Sequence, residues 1–296
     1  KRRPYNGPYA DEHLSRVAFP MGGIGAGMVC LDGTGALSHV SVRNEMDLFH
    51  EPCWFAALSV RGEGGVARVL EGPVPAWKAF GSPGAGNGAS GKAYGLPRFR
   101  RAGFLARFPF ATVMLADPKV PLAVEVTGWS PFVPGDADAC SLPVAALEYR
   151  FTNRSGRAVQ AVFSFHARNF LARSEGQRVR GGPGGFVLEE DGTEDKPHDR
   201  AALSAATDDP RAAVNCHWFR GGWWDGLTMA WRTVEQGARV SAPPPAGAPS
   251  PGGSLYVPLD VPAGASRTVR LMFSWYAPQT KIRMGKDAPC AVGGGG

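Results

Sequence analysis

Two runs of alternating apolar and polar residues dominate the middle of the chain. In residues 145–151, Ala145, Leu147, Tyr149 and Phe151 share one side and Glu148 and Arg150 the other. In residues 159–166, Val159, Ala161, Phe163 and Phe165 oppose Gln160, Ser164 and His166. A period of two is the signature of a strand with one buried face. Between the runs lies Thr152-Asn153-Arg154-Ser155-Gly156-Arg157, whose Asn and Ser bond nearby backbone and whose Gly accepts a turn conformation. The pattern predicts an antiparallel hairpin with one wet face. Its apolar face needs a second layer, which predicts a two-sheet sandwich.

The same grammar recurs near the end. Leu255, Val257, Leu259 and Val261 alternate, residues 262–266 (Pro-Ala-Gly-Ala-Ser) turn, and Val269, Leu271, Phe273 and Trp275 alternate again, predicting a second hairpin. Further strands are expected at residues 28–31 and 36–40, which flank the turn Asp32-Gly33-Thr34-Gly35, and at 54–60, 66–70, 103–108, 111–115, 122–127 and 185–188. Residues 218–231 are the most aromatic stretch. There Leu227, Met229 and Trp231 alternate with Thr228, Ala230 and Arg232, so this too reads as strand rather than helix. No amphipathic helix of ten residues or more is expected. Residues 1–18 read as an extended lead-in, 19–276 as the sandwich, and 277–296 as a linker or edge. Loops are expected at 81–91, 129–136 and 241–253.

Composition agrees with many strands and many turns. The 296 residues include 40 Gly and 26 Pro, well above the average of about 12% for the two together and poorly suited to helices. The net charge of +6 is spread along the chain; it reads as a soluble surface rather than a nucleic-acid footprint. No run of 18 apolar residues is present, so no transmembrane helix is expected. Five cysteines at wide spacings form no zinc pattern and no C-x-x-C motif. They read as buried thiols of a reducing compartment, the cytoplasm. No metal or other cofactor is expected.

Candidate chemistry is sparse. Residues 19–29 contain Gly22, Gly23, Gly25 and Gly27, but the spacing and the strand that follows do not fit a dinucleotide fingerprint. These glycines are expected to let backbone pass close to another surface. Glycoside hydrolysis needs two carboxylates across a cleft. The candidates Glu45 with Asp47, Asp136 with Asp138, and Asp225 lack the apolar setting that raises an acid's pKa. Asp136 and Asp138 read more simply as loop anchors, and Asp225-Gly226 as a turn. His166 reads as a surface or interface residue. Trp218, Trp223 and Trp224 are a sugar-stacking platform in one reading and core or interface residues in the other. Arg43-Asn44-Glu45 is a dense polar cluster that can orient a ligand or brace a neighbouring domain. From the residues alone two classes stand: a non-catalytic or carbohydrate-binding module, and an enzyme whose site lies on loops that the sequence does not pair.

Several segments resemble the N-terminal domain of glycoside hydrolase family 116, the non-lysosomal glucosylceramidase or bile acid β-glucosidase family. They are residues 19–27, Phe108-Pro109, 122–126, Trp129 to Asp136, 141–145, Phe151-Thr152-Asn153, 163–169, and the closing 262–266 with Ser274-Trp275. The resemblance implies a β-sandwich that packs against a C-terminal (α/α)6 barrel, which holds both catalytic carboxylates of a retaining β-glucosidase. It therefore carries no catalytic residue onto this chain. It implies a catalytic barrel of the same protein as partner and a β-glucoside or glycolipid as its substrate. The loops at Arg43, Asn44, Glu45 and Asp47, and those from Trp129 through Asp136 and Asp138 to Cys140, are expected to face the barrel and its cleft, with Trp223 and Trp224 as further candidates. The alternative is a stand-alone carbohydrate-binding sandwich; an independent small hydrolase is a third.

Overall fold

The computed structural model describes residues 3–45, 47, 50–62, 64–80, 92–221 and 225–281. The glycine-rich stretch 81–91, Trp223, Trp224 and the tail 282–296 lie outside them. In chain order the elements are β1 (Tyr9–Ala10), β2 (Ala18–Met21), β3 (Met28–Asp32), β4 (Leu37–Ser41), β5 (Trp54–Val60), β6 (Val66–Val69), α1 (Ala76–Phe80), β7 (Arg101–Arg107), β8 (Phe110–Ala116), β9 (Leu122–Trp129) and α2 (Ala137–Cys140). They continue with β10 (Val144–Asn153), β11 (Val159–Arg168), β12 (Gln177–Gly182), β13 (Gly185–Glu190), β14 (Ala201–Ala206), β15 (Ala213–Asn215), α3 (Gly226–Glu235), β16 (Gly252–Val261) and β17 (Ser266–Tyr276). A nine-stranded sheet runs β1-β7-β8-β9-β10-β17-β14-β13-β12, a five-stranded sheet runs β15-β16-β11-β5-β6, and a small sheet runs β2-β3-β4. All strand pairs within the sheets are antiparallel. The architecture is the all-β sandwich that the alternation predicts. Its lead-in is partly ordered into the sheet, since Tyr9 of β1 pairs with Phe104.

The two predicted hairpins are not hairpins. β10 lies in the nine-stranded sheet, paired with β9 and β17, whereas β11 lies in the opposite sheet, paired with β5 and β16. β16 and β17 are divided between the sheets in the same way. Each strand–turn–strand unit is an arch that crosses the sandwich. The physical reason is the apolar faces. A hairpin would set Tyr149 and Phe163 side by side on one sheet and leave them to be covered by something else. The arch folds them onto each other, with ring centroids 4.9 Å apart, and Phe151 meets Phe163 at 6.2 Å. The two arches then stack, so that Leu147 pairs with Leu271 in one sheet and Phe163 with Val257 in the other.

The main core between the sheets contains Phe104, Val126, Leu147, Phe151, Phe163, Phe165, Phe186 and Phe273, all fully buried. The small sheet joins it where Gly128 of β9 leaves room; a Cβ there would lie 2.5 Å from the sulfur of Met21.

A second correction concerns residues 226–235, which form a ten-residue helix, α3, and not a strand. Asp225 is its N-cap and not merely half of a turn, its carboxylate accepting from the Thr228 amide at 2.7 Å. Leu227, Trp231 and Val234 recur at helical spacing and face the sheet, packing with Phe55, Ala57 and Val69 into a second, smaller core. The face of the five-stranded sheet expected to be wet is therefore covered. His166 lies on that face and is fully buried, which overturns its placement at the surface. It stacks on Phe55 with centroids 4.9 Å apart, and its ring nitrogens lie 2.8 Å from the hydroxyls of Ser254 and Ser164.

Candidate functional site

One end of the sandwich gathers most of the sequence-predicted candidates. β17 finishes there at Tyr276, and residues 277–281 pass beside the loop after β4. Asn44, in a left-handed conformation (φ 54°), donates its side-chain amide to the carbonyl of Ala277 at 2.9 Å. Glu45 pairs with Lys281 at 3.0 Å, and the hydrogen bond from that ammonium holds the Glu45 carboxyl below its ordinary range. That setting is the reverse of what a proton-donating catalytic acid needs.

Arg43 bridges this loop to the segment after β11. Its guanidinium donates to the carbonyl of Leu171 and lies 3.5 Å from Asp199, which also accepts from Arg173 at 2.7 Å. Burial, then repulsion from Arg173, pushes the Arg43 guanidinium down to about 10. Val40, Ser41, Val42, Arg43, Glu45, Asp47, His50, Phe170, Leu171 and Arg173 enclose a cavity of about 400 Å³. The Asp47 carboxylate lies 3.7 Å from the His50 imidazole, and its amide donates to the Ser41 hydroxyl at 2.9 Å.

The glycine segment lies at the same end, and the expectation of close backbone approach holds. The amides of Gly23 and Ile24 donate to the carbonyls of Leu142 and Cys140, at 3.0 and 2.7 Å. A Cβ on Gly23 would fall 2.3 Å from the Leu142 oxygen. Trp275 closes the arrangement from the last strand, donating its indole N–H to the carbonyl of Ala26 at 2.6 Å.

Beside this lies an apolar surface. Trp129, half-buried on the outer face of β9, pairs in register with Phe110 and Ala146, and Ala146 pairs with Met272. Around that row Phe108 is 63% exposed, Phe110 49%, Phe132 42%, Leu142 49% and Met272 57%. Phe108 and Phe132 meet edge to face at 4.9 Å, and the Phe108–Pro109 peptide is cis. Asp136 caps α2 through the Ala139 amide at 2.9 Å, and the backbone carbonyl of Asp138 accepts from the Ser141 amide. Asp136 thus anchors the loop through its carboxylate, whereas Asp138 contributes its backbone carbonyl.

Trp218 is a core residue, its indole donating to Ser254 at 2.7 Å; Trp223 and Trp224 are not among the described residues. Asp32 and Glu51 both pair with Lys78, at 2.7 and 2.8 Å, in a largely buried ion cluster. Among the described residues no group of His, Cys, Asp and Glu is arranged to hold a metal. No described helix is long and apolar enough to cross a membrane. Cys30, Cys53, Cys140 and Cys216 are buried free thiols.

The site thus defines a class: a large two-sheet sandwich with one end of mixed apolar and polar character. The family described as "beta-glucosidase 2, glycosyl-hydrolase family 116 N-term" matches residues 18–289, and the chain belongs to it. As an N-terminal domain it implies a companion catalytic domain in the parent protein. No curated protein matches the sequence. Among solved structures, a putative kojibiose phosphorylase from human microbiome aligns over 91% of this chain and 32% of its own, at 8% identity and a TM-score of 0.43. A polysaccharide lyase aligns over the same shares at 10% identity and a TM-score of 0.33. The chain spans about a third of the length of each.

Proposed function

We propose that residues 19–276 form the non-catalytic N-terminal sandwich of a β-glucosidase or glucosylceramidase-like glycoside hydrolase. The domain packs through the end just described against an (α/α)6 catalytic barrel of the same protein. The barrel supplies both catalytic carboxylates and takes a β-glucoside or a glycolipid. The sandwich supports it and contributes one wall of the approach to its cleft.

The observation that carries this reading is the coincidence of two features. The polypeptide leaves β17 at the end where Phe108, Phe110, Phe132, Leu142 and Met272 are exposed together. Contiguous apolar surface of that kind marks an interaction site, and the next stretch of chain begins beside it. A stand-alone carbohydrate-binding module would instead present an open groove of tryptophans. Each of the six described tryptophans is buried or half-buried. Buried free thiols at four positions support a reducing compartment, the cytoplasm.

The test is reconstitution. Residues 1–281 and the remainder of the parent protein are expressed as separate chains and assayed on an aryl β-glucoside. The expected result is no turnover by either chain alone, turnover when both are mixed, and loss of assembly with Phe110→Asp or Phe132→Asp. Turnover by residues 1–281 alone would make the sandwich itself the enzyme and would end this reading.

A further inference from the structure

The cavity beside Arg43 has a chemistry of its own. Arg43 is 9% exposed at its side chain. One guanidinium nitrogen is used on Leu171, while Nη1 has no hydrogen-bond acceptor among the described residues. Asp199, the nearest carboxylate, already accepts from Arg173. Glu190 behind it is saturated by the amides of Arg173, Ser174 and Gly192 and by the Ser174 hydroxyl. A buried charged donor without an acceptor is costly, and an incoming oxygen relieves the cost.

The rim decides which oxygen. Asp47, with its side chain 55% exposed, presents carboxylate acceptors; Glu45, 39% exposed, adds a carboxylate already paired with Lys281; and Arg173, 44% exposed, presents donors. An anion that satisfied Arg43 would meet both carboxylates; a cation that suited them would meet both guanidiniums. A hydroxyl group both donates and accepts. Several hydroxyls on one rigid frame therefore match this mixture, and Phe170 and Val42 offer an apolar wall to the frame's carbon face. The volume of about 400 Å³ falls within the range of small-molecule sites, about 300 to 1,000 Å³.

We propose that this cavity binds a neutral hexose unit, with Arg43 Nη1 and Arg173 donating to its oxygens and Asp47 accepting from its hydroxyls. It is a sugar subsite on the sandwich rather than on the barrel. The choice of glucose as the hexose rests on the β-glucosidase reading above; the preference for a neutral polyol does not.

Hydrogen–deuterium exchange on the intact parent protein tests it, with D-glucose as probe and gluconate as the anionic control. Glucose is expected to protect peptides covering residues 40–50 and 170–173, and gluconate is not. Arg43 and Arg173 are poor test residues, because the loss of either also breaks a contact to buried Asp199. Asp47→Asn replaces a partly exposed group. It is expected to raise the half-protecting glucose concentration about tenfold, as removal of one charged hydrogen bond does, with melting shifted by no more than about 2 °C. Protection by gluconate in place of glucose, or none by either, overturns the proposal. So does protection of these peptides in the parent protein without sugar but not in residues 1–281. That last result would mean that the companion domain fills the cavity, and it would leave the reading of the sandwich as a support standing.

Discussion

The side-chain amide of Asn153 donates to the carbonyl of Val261 at 2.8 Å, joining the turn of one arch to the turn of the other. The same nitrogen reaches the carbonyls of Arg157 and Pro262, and its oxygen accepts from the amide and hydroxyl of Ser155. The Asn153 backbone also exchanges hydrogen bonds with Ala265 and Gly264. Asn153 is fully buried, so its removal leaves several carbonyls unmet in the interior. Asn153→Ala is expected to cost about 3 kcal/mol, a few net hydrogen bonds plus the desolvation of their orphaned partners. Ser155→Ala, which removes the contacts of its hydroxyl to Asn153 Oδ1 and to the solvent-side Arg157 carbonyl, is expected to cost about 1 kcal/mol. Urea denaturation of residues 1–281 measures both.

Backbone contact at the glycine segment makes a sharper contrast within four residues. Gly27 has φ 91°, and a Cβ there would lie 2.3 Å from the Ser41 oxygen; Gly25 has φ 76° and open space around it. Gly27→Ala must shift either β4 or Trp275 and is expected to destabilise by about 3 kcal/mol or more, whereas Gly25→Ala carries only the left-handed penalty of about 1–2 kcal/mol. Thermal melting of the two variants in parallel reads the difference.

His166 makes stability depend on pH. Burial pushes its imidazole down to about 3, against about 6.5 in an unfolded chain. The unfolded state therefore takes up a proton that the folded state refuses. Folding stability is unaffected by this group above about pH 6.5 and falls as the pH drops from there toward 3, by up to about 1.4 kcal/mol per pH unit. His166→Gln retains polar groups between Ser164 and Ser254 and is expected to flatten that dependence, measured as the urea midpoint from pH 7 to pH 4.5. An unchanged slope would place the acid sensitivity elsewhere.

Lys78 holds the ion cluster under α1. Burial lowers its pKa, and the Asp32 and Glu51 carboxylates more than reverse this, leaving the ammonium above its ordinary value. Lys78→Met leaves two carboxylates facing each other without a counter-charge and is expected to cost about 3–5 kcal/mol at neutral pH. The denaturant midpoint at pH 7 checks the expectation.

Alternation shows which residues face inward but not which strand lies beside which. Tyr149 and Phe163 keep the same pattern whether their strands form a hairpin or an arch, so the sheet class was legible and the pairing was not. The signal that separates the two is long-range, the register of Leu147 against Leu271 and of Phe163 against Val257, and no local window contains it. α3 was misread for a different reason. Leu227, Met229 and Trp231 satisfy a period of two over five residues, but Leu227, Trp231 and Val234 satisfy a helical period over eight, and Asp225 sits at the cap. With that helix unseen, the polar-looking face of His166 and Ser164 had no cover. At the candidate site, the clustering of Arg43-Asn44-Glu45 was visible. Its partners Leu171, Arg173 and Asp199 were not, because they arrive from connecting segments more than a hundred residues away.

Hydroxyl-radical footprinting at Phe108, Phe110, Phe132, Leu142 and Met272, in residues 1–281 and in the intact parent protein, tests the central claim most directly. If this end of the sandwich is the seat of the catalytic domain, these side chains label strongly in the isolated chain and are protected in the parent, while Pro262, exposed in the turn at the opposite end of β17, labels equally in both. Equal labelling of the five residues in the two forms would contradict the account.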